Sequence, residues 1–149
     1  MEIREARATD IQALMPLVDG YYAASPVPHT ADHAAVATHV QQLIAADNPL
    51  GGLLLAIEDD NIAGFAFLYY GFNKRSLKRT VTLNDLFVAA AYRRRGIARA
   101  LITATLQWGR DHGAVSVDWQ TRVSNTGAQA LYDQVGERES GWIHYQSKL

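Results

Sequence analysis

The chain has 149 residues, a mass of 16.4 kDa and a formal charge of −1, from 14 basic and 15 acidic side chains. Its 48 % hydrophobic and 19 % charged residues bury enough apolar surface to offset ordering entropy, which excludes a disordered chain. The near-zero charge excludes a polycation built to coat nucleic acid or anionic lipid, and the lack of cysteine excludes a disulfide framework, a thiolate zinc site and a cysteine nucleophile. The length suits one domain, 1–149. No apolar run approaches the ~20 residues of a membrane span, and the start Met1–Glu5 lacks the apolar stretch of a signal peptide. The expected location is therefore cytoplasmic, with no membrane partner.

In chain order, residues 2–7 alternate loosely and suit an edge strand. Thr9-x-x-Gln12 reads as a capping box. Ile11, Leu14, Met15, Val18 and Tyr22 follow at helical spacing, with Pro16 expected to kink or divide the helix. Ser25-Pro26-Val27-Pro28 is a loop. Residues 31–46 form a second amphipathic helix, ended by Asn48-Pro49 and Gly51-Gly52. Strands at 53–58 and 62–71, joined by Asp59-Asp60-Asn61, form a hairpin. A basic connector at 72–79, read as a solvated segment, leads to a strand over 80–89. A helix over 96–112 turns Ile97, Leu101, Ala104 and Trp108 to the core and stops at Gly113 in the left-handed conformation. A strand at 114–120 precedes a helix that Asn125 caps and Gly136 closes, and an aromatic strand at 141–149 ends the chain. The class is mixed α/β.

The chemistry concentrates between Leu83 and Ile102. A buried strand, Leu83-Asn-Asp-Leu-Phe-Val88, runs through a tight Arg/Gly turn straight into a helix. Free amides at a helix start, with the dipole behind them, bind anions. Gly96 admits a phosphate close to the backbone, Ala98 keeps the first turn clear, and Arg93, Arg94, Arg95 and Arg99 bring charge suited to phosphate oxygens. The architecture suits a pyrophosphate. Neither Gly-x-x-x-x-Gly-Lys nor Gly-x-Gly-x-x-Gly occurs, so a P-loop nucleotidase and a dinucleotide dehydrogenase lose their main support. The five histidines show no metal spacing, so no metal is assigned.

The pattern Arg93-x-x-Gly96-x-Ala98, between a Leu-Phe-Val strand and a helix and followed by an Asn125…Tyr132 helix, resembles the signature of the GNAT superfamily of acetyl-CoA-dependent N-acetyltransferases. Leu83–Val88, Trp119-Gln-Thr121, Asn125, Ala130–Asp133 and the Trp142…Tyr145 end resemble its histone/polyamine, small-amine branch. The resemblance implies a central mixed, mostly antiparallel sheet, splayed in the middle and flanked by helices, and acetyl-CoA as co-substrate. It implies that backbone groups of Leu86, Phe87 and Val88 pair with the pantetheine arm, and that the amides from Arg93 through Gly96, Ile97 and Ala98 to Arg99 hold the pyrophosphate. Asn125 would contact the cofactor arm, the Val88 amide would stabilise the oxyanion, and Tyr132 would protonate the leaving thiolate.

The implied reaction is direct attack of a primary amine, carried by a small amine, polyamine or amino acid, or by a peptide or protein. Relatives often carry a Glu-Asp pair where Asn84-Asp85 stands here. Asn84 cannot act as a base, and strand alternation sets Asp85 on the opposite face from it. Asp85 remains a candidate for catalysis through substrate binding or a water relay. Tyr21, Tyr22, Asn84 and Trp119 are candidate substrate contacts, and many relatives are dimers, for which the aromatic C-terminal strand is a candidate surface. Two rivals stand beside this reading. One is a non-catalytic acyl-CoA sensor, which Tyr132 argues against. The other is a nucleic-acid-binding module using the 74–79 and 93–99 clusters, which the net charge argues against.

Overall fold

The structure is a computed structural model that describes every residue except Pro28. One five-stranded sheet runs in the order β1-β2-β3-β4-β5: β1 (Glu2–Glu5), β2 (Gly51–Glu58), β3 (Asn61–Phe72), β4 (Arg79–Val88) and β5 (Val117–Asp118). The first four are antiparallel neighbours, and β5 joins β4 in parallel. Four helices flank the sheet: α1 (Ile11–Ala23), α2 (His33–Leu43), α3 (Ile97–Asp111) and α4 (Thr126–Val135).

The sheet separates two apolar layers. On one side Leu14 and Val18 of α1 and Val40 and Leu43 of α2 cover Leu53, Leu55, Phe65 and Phe67. On the other, Ile97, Leu101, Ile102 and Trp108 of α3 cover Leu54, Ala66, Leu68, Val81 and Leu83. β2 and β3 are buried on both faces, so their sequences read as apolar runs rather than alternations. Each aliphatic side chain buried in these layers contributes about 1.5–3 kcal/mol.

Two features of β4 position the site. Its pairing with β5 is confined to Val81–Val117 and Thr82–Asp118, so beyond Thr82 the strand has no β5 partner and the sheet opens into a wedge. Against β3, Phe67 faces Asp85 while Leu68 faces Leu83, which leaves Asn84 as the extra residue of a bulge. Before it, Val81 and Leu83 face α3; after it, Leu86 and Val88 face α3 while Phe87 turns to α1. The expected alternation of Asn84 and Asp85 is thereby overturned: the two side chains meet, Asn84 Nδ2 donating to Asp85 Oδ2 at 3.1 Å.

Several local expectations change. The start of α1 does not use Thr9 and Gln12. A single 3₁₀ turn, Ala8–Asp10, precedes it, and Asp10 Oδ2 accepts the Arg7 N–H at 2.7 Å. α1 runs unbroken through Pro16. Pro16 lies on the exposed face, while Leu14, Met15 and Val18 hold the other face in the core. Of the strand expected over 114–120 only Val117–Asp118 is a strand, preceded by bonds of Val115 N–H to Arg79 O and of Val81 N–H to Ser116 O, and 141–149 forms no strand. Two paired residues on β5 are too short an edge to template a further strand, and Trp142, Ile143 and Tyr145 stay exposed. Of the loop expected at 25–28, Ser25–Val27 is a bend and Pro28 lies outside the described residues.

Candidate active site

The strand-to-helix turn forms as its composition requires. Arg94 (φ 64°) and Gly96 (φ 79°) take left-handed backbone, and a Cβ at Gly96 would meet no protein atom within 4 Å. The first intrahelical bond of α3 is Ala100 N–H to Gly96 O at 3.0 Å, so the amides of Ile97, Ala98 and Arg99 lie ahead of the hydrogen-bonded ladder at its positive end. The Arg93 amide differs from the expected set: it reaches Ala90 O at 3.3 Å.

The arginines do not bunch over these amides. Arg93 Nε donates to Val88 O at 2.9 Å, with its guanidinium 5.7 Å from the Phe87 ring. Arg95 lies 5.5 Å from the Tyr92 ring, and Arg99 donates to Gln134. The anion-binding capacity of the turn therefore rests first on backbone amides. Alongside it the unpaired length of β4, Leu86–Val88, offers a strand edge for an extended ligand. A cradle open above Gly96 and a free strand edge beside it fit the pyrophosphate and the amide-bearing arm of acetyl-CoA.

On the opposite face of β4 lies a cavity of about 250 Å³, walled by α1, α2 and β3 and lined by Tyr21, Tyr22, His39, Tyr69 and Asp85 among others. Tyr21 donates its hydroxyl to Asp85 Oδ1 at 2.5 Å. Burial, reinforced by this bond, pushes the Tyr21 phenol well up, so it stays a donor. The Tyr21 ring meets Tyr22, Phe65 and Phe87 edge-on, with centroids 5.2, 6.0 and 6.1 Å away. Asn84, at the bulge, borders this pocket through its bond to Asp85. A larger hollow of about 450 Å³ lies at the other end of the sheet, beside Glu5, Tyr70, Arg79 and Trp108. Its polar groups satisfy one another, Trp108 Nε1 donating to Glu5 Oε1 at 2.5 Å and Arg79 stacking 4.1 Å above Tyr70, and no part of the anion turn adjoins it.

Tyr132 and Trp119 form a separate group on the α3 side. Their rings meet edge-on at 5.9 Å, and Trp119 lies so close over Gly136 that a Cβ there would stand 2.7 Å from the indole. Tyr132 is half-buried, and burial raises its phenol, keeping it protonated. Trp119 does not line the cavity that holds Tyr21, Tyr22 and Asp85. Its large ring is packed against α4, where it fixes Tyr132 rather than forming a wall of that pocket. Asn125 caps α4, its Oδ1 accepting the Ala128 N–H at 3.2 Å.

His39 and Tyr69 belong to the pocket without having been singled out together: His39 Nε2 lies 2.8 Å from the Tyr69 hydroxyl. Tyr69 follows Phe65 and Phe67 at intervals of two, which sets all three on one face of β3, and His39 follows Val36 by one helical turn. Both signals are present in the sequence, but only the tertiary pairing of α2 with β3 gives them meaning.

The model of the acetyltransferase (GNAT) family matches residues 14–136. The chain belongs to this family. The uncharacterized N-acetyltransferase YhfO of Bacillus subtilis (strain 168) is 32 % identical over 146 residues, covering 97 % of this chain and 95 % of that one. The crystal structure of a probable acetyltransferase is 28 % identical, with a TM-score of 0.86 over 100 % of this chain and 98 % of that one. An aminoglycoside N-acetyltransferase in complex with CoA shares the fold, with 24 % identity and a TM-score of 0.75 over 99 % of each chain. As a member of the GNAT family the protein is an N-acetyltransferase whose acetyl donor is acetyl-CoA. Among the described residues no helix is long and apolar enough to cross a membrane, and no three His, Asp or Glu side chains gather as metal ligands would.

Proposed function

We infer that the enzyme transfers acetyl directly to the primary amine of a small molecule, a small amine, polyamine or amino acid, bound in the cavity beside Asp85. The observation that carries this reading is the cavity itself. It is about 250 Å³, too small for a folded protein surface to enter, and it combines aromatic walls with one carboxylate on the face of β4 opposite the α3 layer. Tyrosine faces and a carboxylate together suit an ammonium group on an apolar stem. The Leu83–Val88 strand and the Asn125…Tyr132 helix favour the small-amine branch over acceptors on proteins.

In this mechanism the Leu86–Val88 edge and the Ile97–Arg99 amides hold the donor, and the Val88 amide stabilises the oxyanion formed on attack. Asp85, fixed by Tyr21 and Asn84, anchors the charged acceptor. Tyr132, kept protonated by burial, donates its proton to the departing thiolate. With no cysteine in the chain, attack is direct, without a thioester intermediate on the protein.

The test is CoA release from acetyl-CoA in the presence of spermidine, L-lysine, 2-phenylethylamine and a lysine-containing peptide. Saturable release with one of the first three, weaker with the peptide, is the expected result. Transfer to the peptide alone would overturn the small-molecule reading.

A further inference from the structure

An amine substrate enters mostly as an ammonium ion and cannot attack until it loses a proton. Asp85 is the nearest basic group in the cavity, but both of its oxygens are engaged, Oδ1 by Tyr21 at 2.5 Å and Oδ2 by Asn84 at 3.1 Å. Such a carboxylate holds a cation in place; it is poorly arranged to carry a proton away. The other basic group lining the cavity is His39. It sits on α2, only partly buried, so its ring spans the cavity wall and the solvent. Its Nε2 meets the Tyr69 hydroxyl at 2.8 Å, and the two rings lie 5.7 Å apart. No described side chain hydrogen-bonds its Nδ1.

We propose that Tyr69 and His39 form a relay that moves the ammonium proton of the acceptor from the cavity to solvent. This deepens the reading of the cavity as the amine site and rests on it. The ammonium N–H bond breaks as its proton passes to the Tyr69 oxygen. The original Tyr69 O–H proton passes to His39 Nε2, and His39 releases its Nδ1 proton to water. The net change is ammonium to free amine plus a hydrated proton, with no other reactant.

Tyr69 suits the middle position because it is pushed up to about 12, by burial first and then by the charge of Asp85, so it neither ionises nor drops out of the chain. Imidazole is the side chain that exchanges protons near neutrality, and its two nitrogens allow entry at one and exit at the other. The groups that share the cavity with His39 are Tyr69 from β3, Asp85 from β4 and Tyr21 and Tyr22 from α1. Asp85 is the only full charge among them. His39 does not touch the reacting atoms; it acts through Tyr69.

The discriminating experiment compares 2-phenylethylamine with its β,β-difluoro analogue, a weak base that is largely unprotonated at neutral pH. Wild type, His39→Gln and Tyr69→Phe are assayed for kcat/KM from pH 6 to 9, with thermal unfolding and acetyl-CoA binding confirming that each variant is folded. For 2-phenylethylamine, His39→Gln is expected to lose about 10²-fold at pH 7 and to recover as pH rises. For the difluoro analogue, which needs no relay, the loss is expected to be at least about tenfold smaller, and Tyr69→Phe follows the same pattern. Equal losses on both amines, or none on either, would overturn the relay while leaving the amine site standing. Acetylation of neither amine by the wild type would overturn the relay as drawn, and the reading of the cavity falls with it if spermidine and L-lysine are refused as well.

Discussion

The hydroxyl of Tyr21, two residues from the end of α1, donates to Asp85 at 2.5 Å across a separation of 64 residues, and so ties the α1 side of the molecule to the bulge in β4. The bond fixes the only carboxylate in the cavity. Tyr21→Phe removes it while keeping the ring against Phe65 and Phe87. The amine KM is expected to rise about tenfold, the equivalent of about 1.4 kcal/mol, with the KM for acetyl-CoA unchanged. Asp85→Asn should act in the same direction and more strongly. Steady-state kinetics with both substrates varied decides it; a change confined to acetyl-CoA would assign Tyr21 to the donor side.

Gly96 and Gly113 make a matched pair. Their φ values are 79° and 74°, and at both a Cβ would meet nothing within 4 Å. Substituting either by alanine imposes the same left-handed strain, about 1–2 kcal/mol. Unfolding curves should show similar losses for Gly96→Ala and Gly113→Ala. Binding of CoA, measured by calorimetry, should weaken only for Gly96→Ala, because its new methyl stands before the amides of Ile97–Arg99. Equal affinities in the two variants would separate the turn from the cofactor.

Tyr132→Phe should lower kcat on the order of 10²-fold with little change in either KM, since the hydroxyl is called on when the thiolate leaves. Single-turnover rates, which isolate the chemical step from product release, provide the check. Gly136→Ala is the companion variant. Its Cβ would force the Trp119 ring away from 2.7 Å, so kcat should fall through displacement of Tyr132 although no atom of the reacting groups is altered.

Arg4 grips Asp10 with two bonds, of 2.7 and 2.9 Å, where the chain enters α1. The guanidinium and the Arg7 amide hold the Asp10 carboxyl below its ordinary range, against a smaller opposing effect of burial. A carboxyl lowered in the folded state adds stability that is fully present above its ordinary value near about 3.9 and is lost as pH falls through the folded value. Asp10→Asn should therefore cost about 1–2 kcal/mol at pH 7. The difference from wild type should close as pH is taken below about 4. A gap that persists at low pH would assign the loss to packing.

The anion turn was legible before any coordinates because its requirements are local: a strand, a residue able to take positive φ, and a helix start all lie within about fifteen consecutive positions. The caps at Asn125 and Gly113 were legible for the same reason. Pro16 does not divide α1, because propensity describes an isolated helix whereas buried Leu14, Met15 and Val18 hold this one to the core. The 141–149 segment misled because alternation describes a strand that already has an edge to join. His39 does not stand out among the five histidines of the sequence, since its partner Tyr69 stands 30 residues away on another element. Arg93, Arg95 and Arg99 were legible as charge but not as conformation; each turns to a neighbour that periodicity could not name.

The extra residue in β4 has a consequence for descent within the family. The bulge absorbs one residue without changing which side chains of the later strand face the cavity. The bulge lets Asn84 and Asp85 share one side of the sheet; loss of the single codon for Asn84 would leave a regular strand, with Asp85 and Phe87 still toward α1 and Leu86 and Val88 still toward α3. The carboxylate would stay in the acceptor cavity on its Tyr21 bond and lose only the Asn84 amide. Relatives along this strand are therefore to be compared in phase from the bulge outward, because a one-position slip in alignment pairs residues that point to opposite sides of the sheet. A lineage could lose the bulge in a single deletion and keep its acidic acceptor pocket.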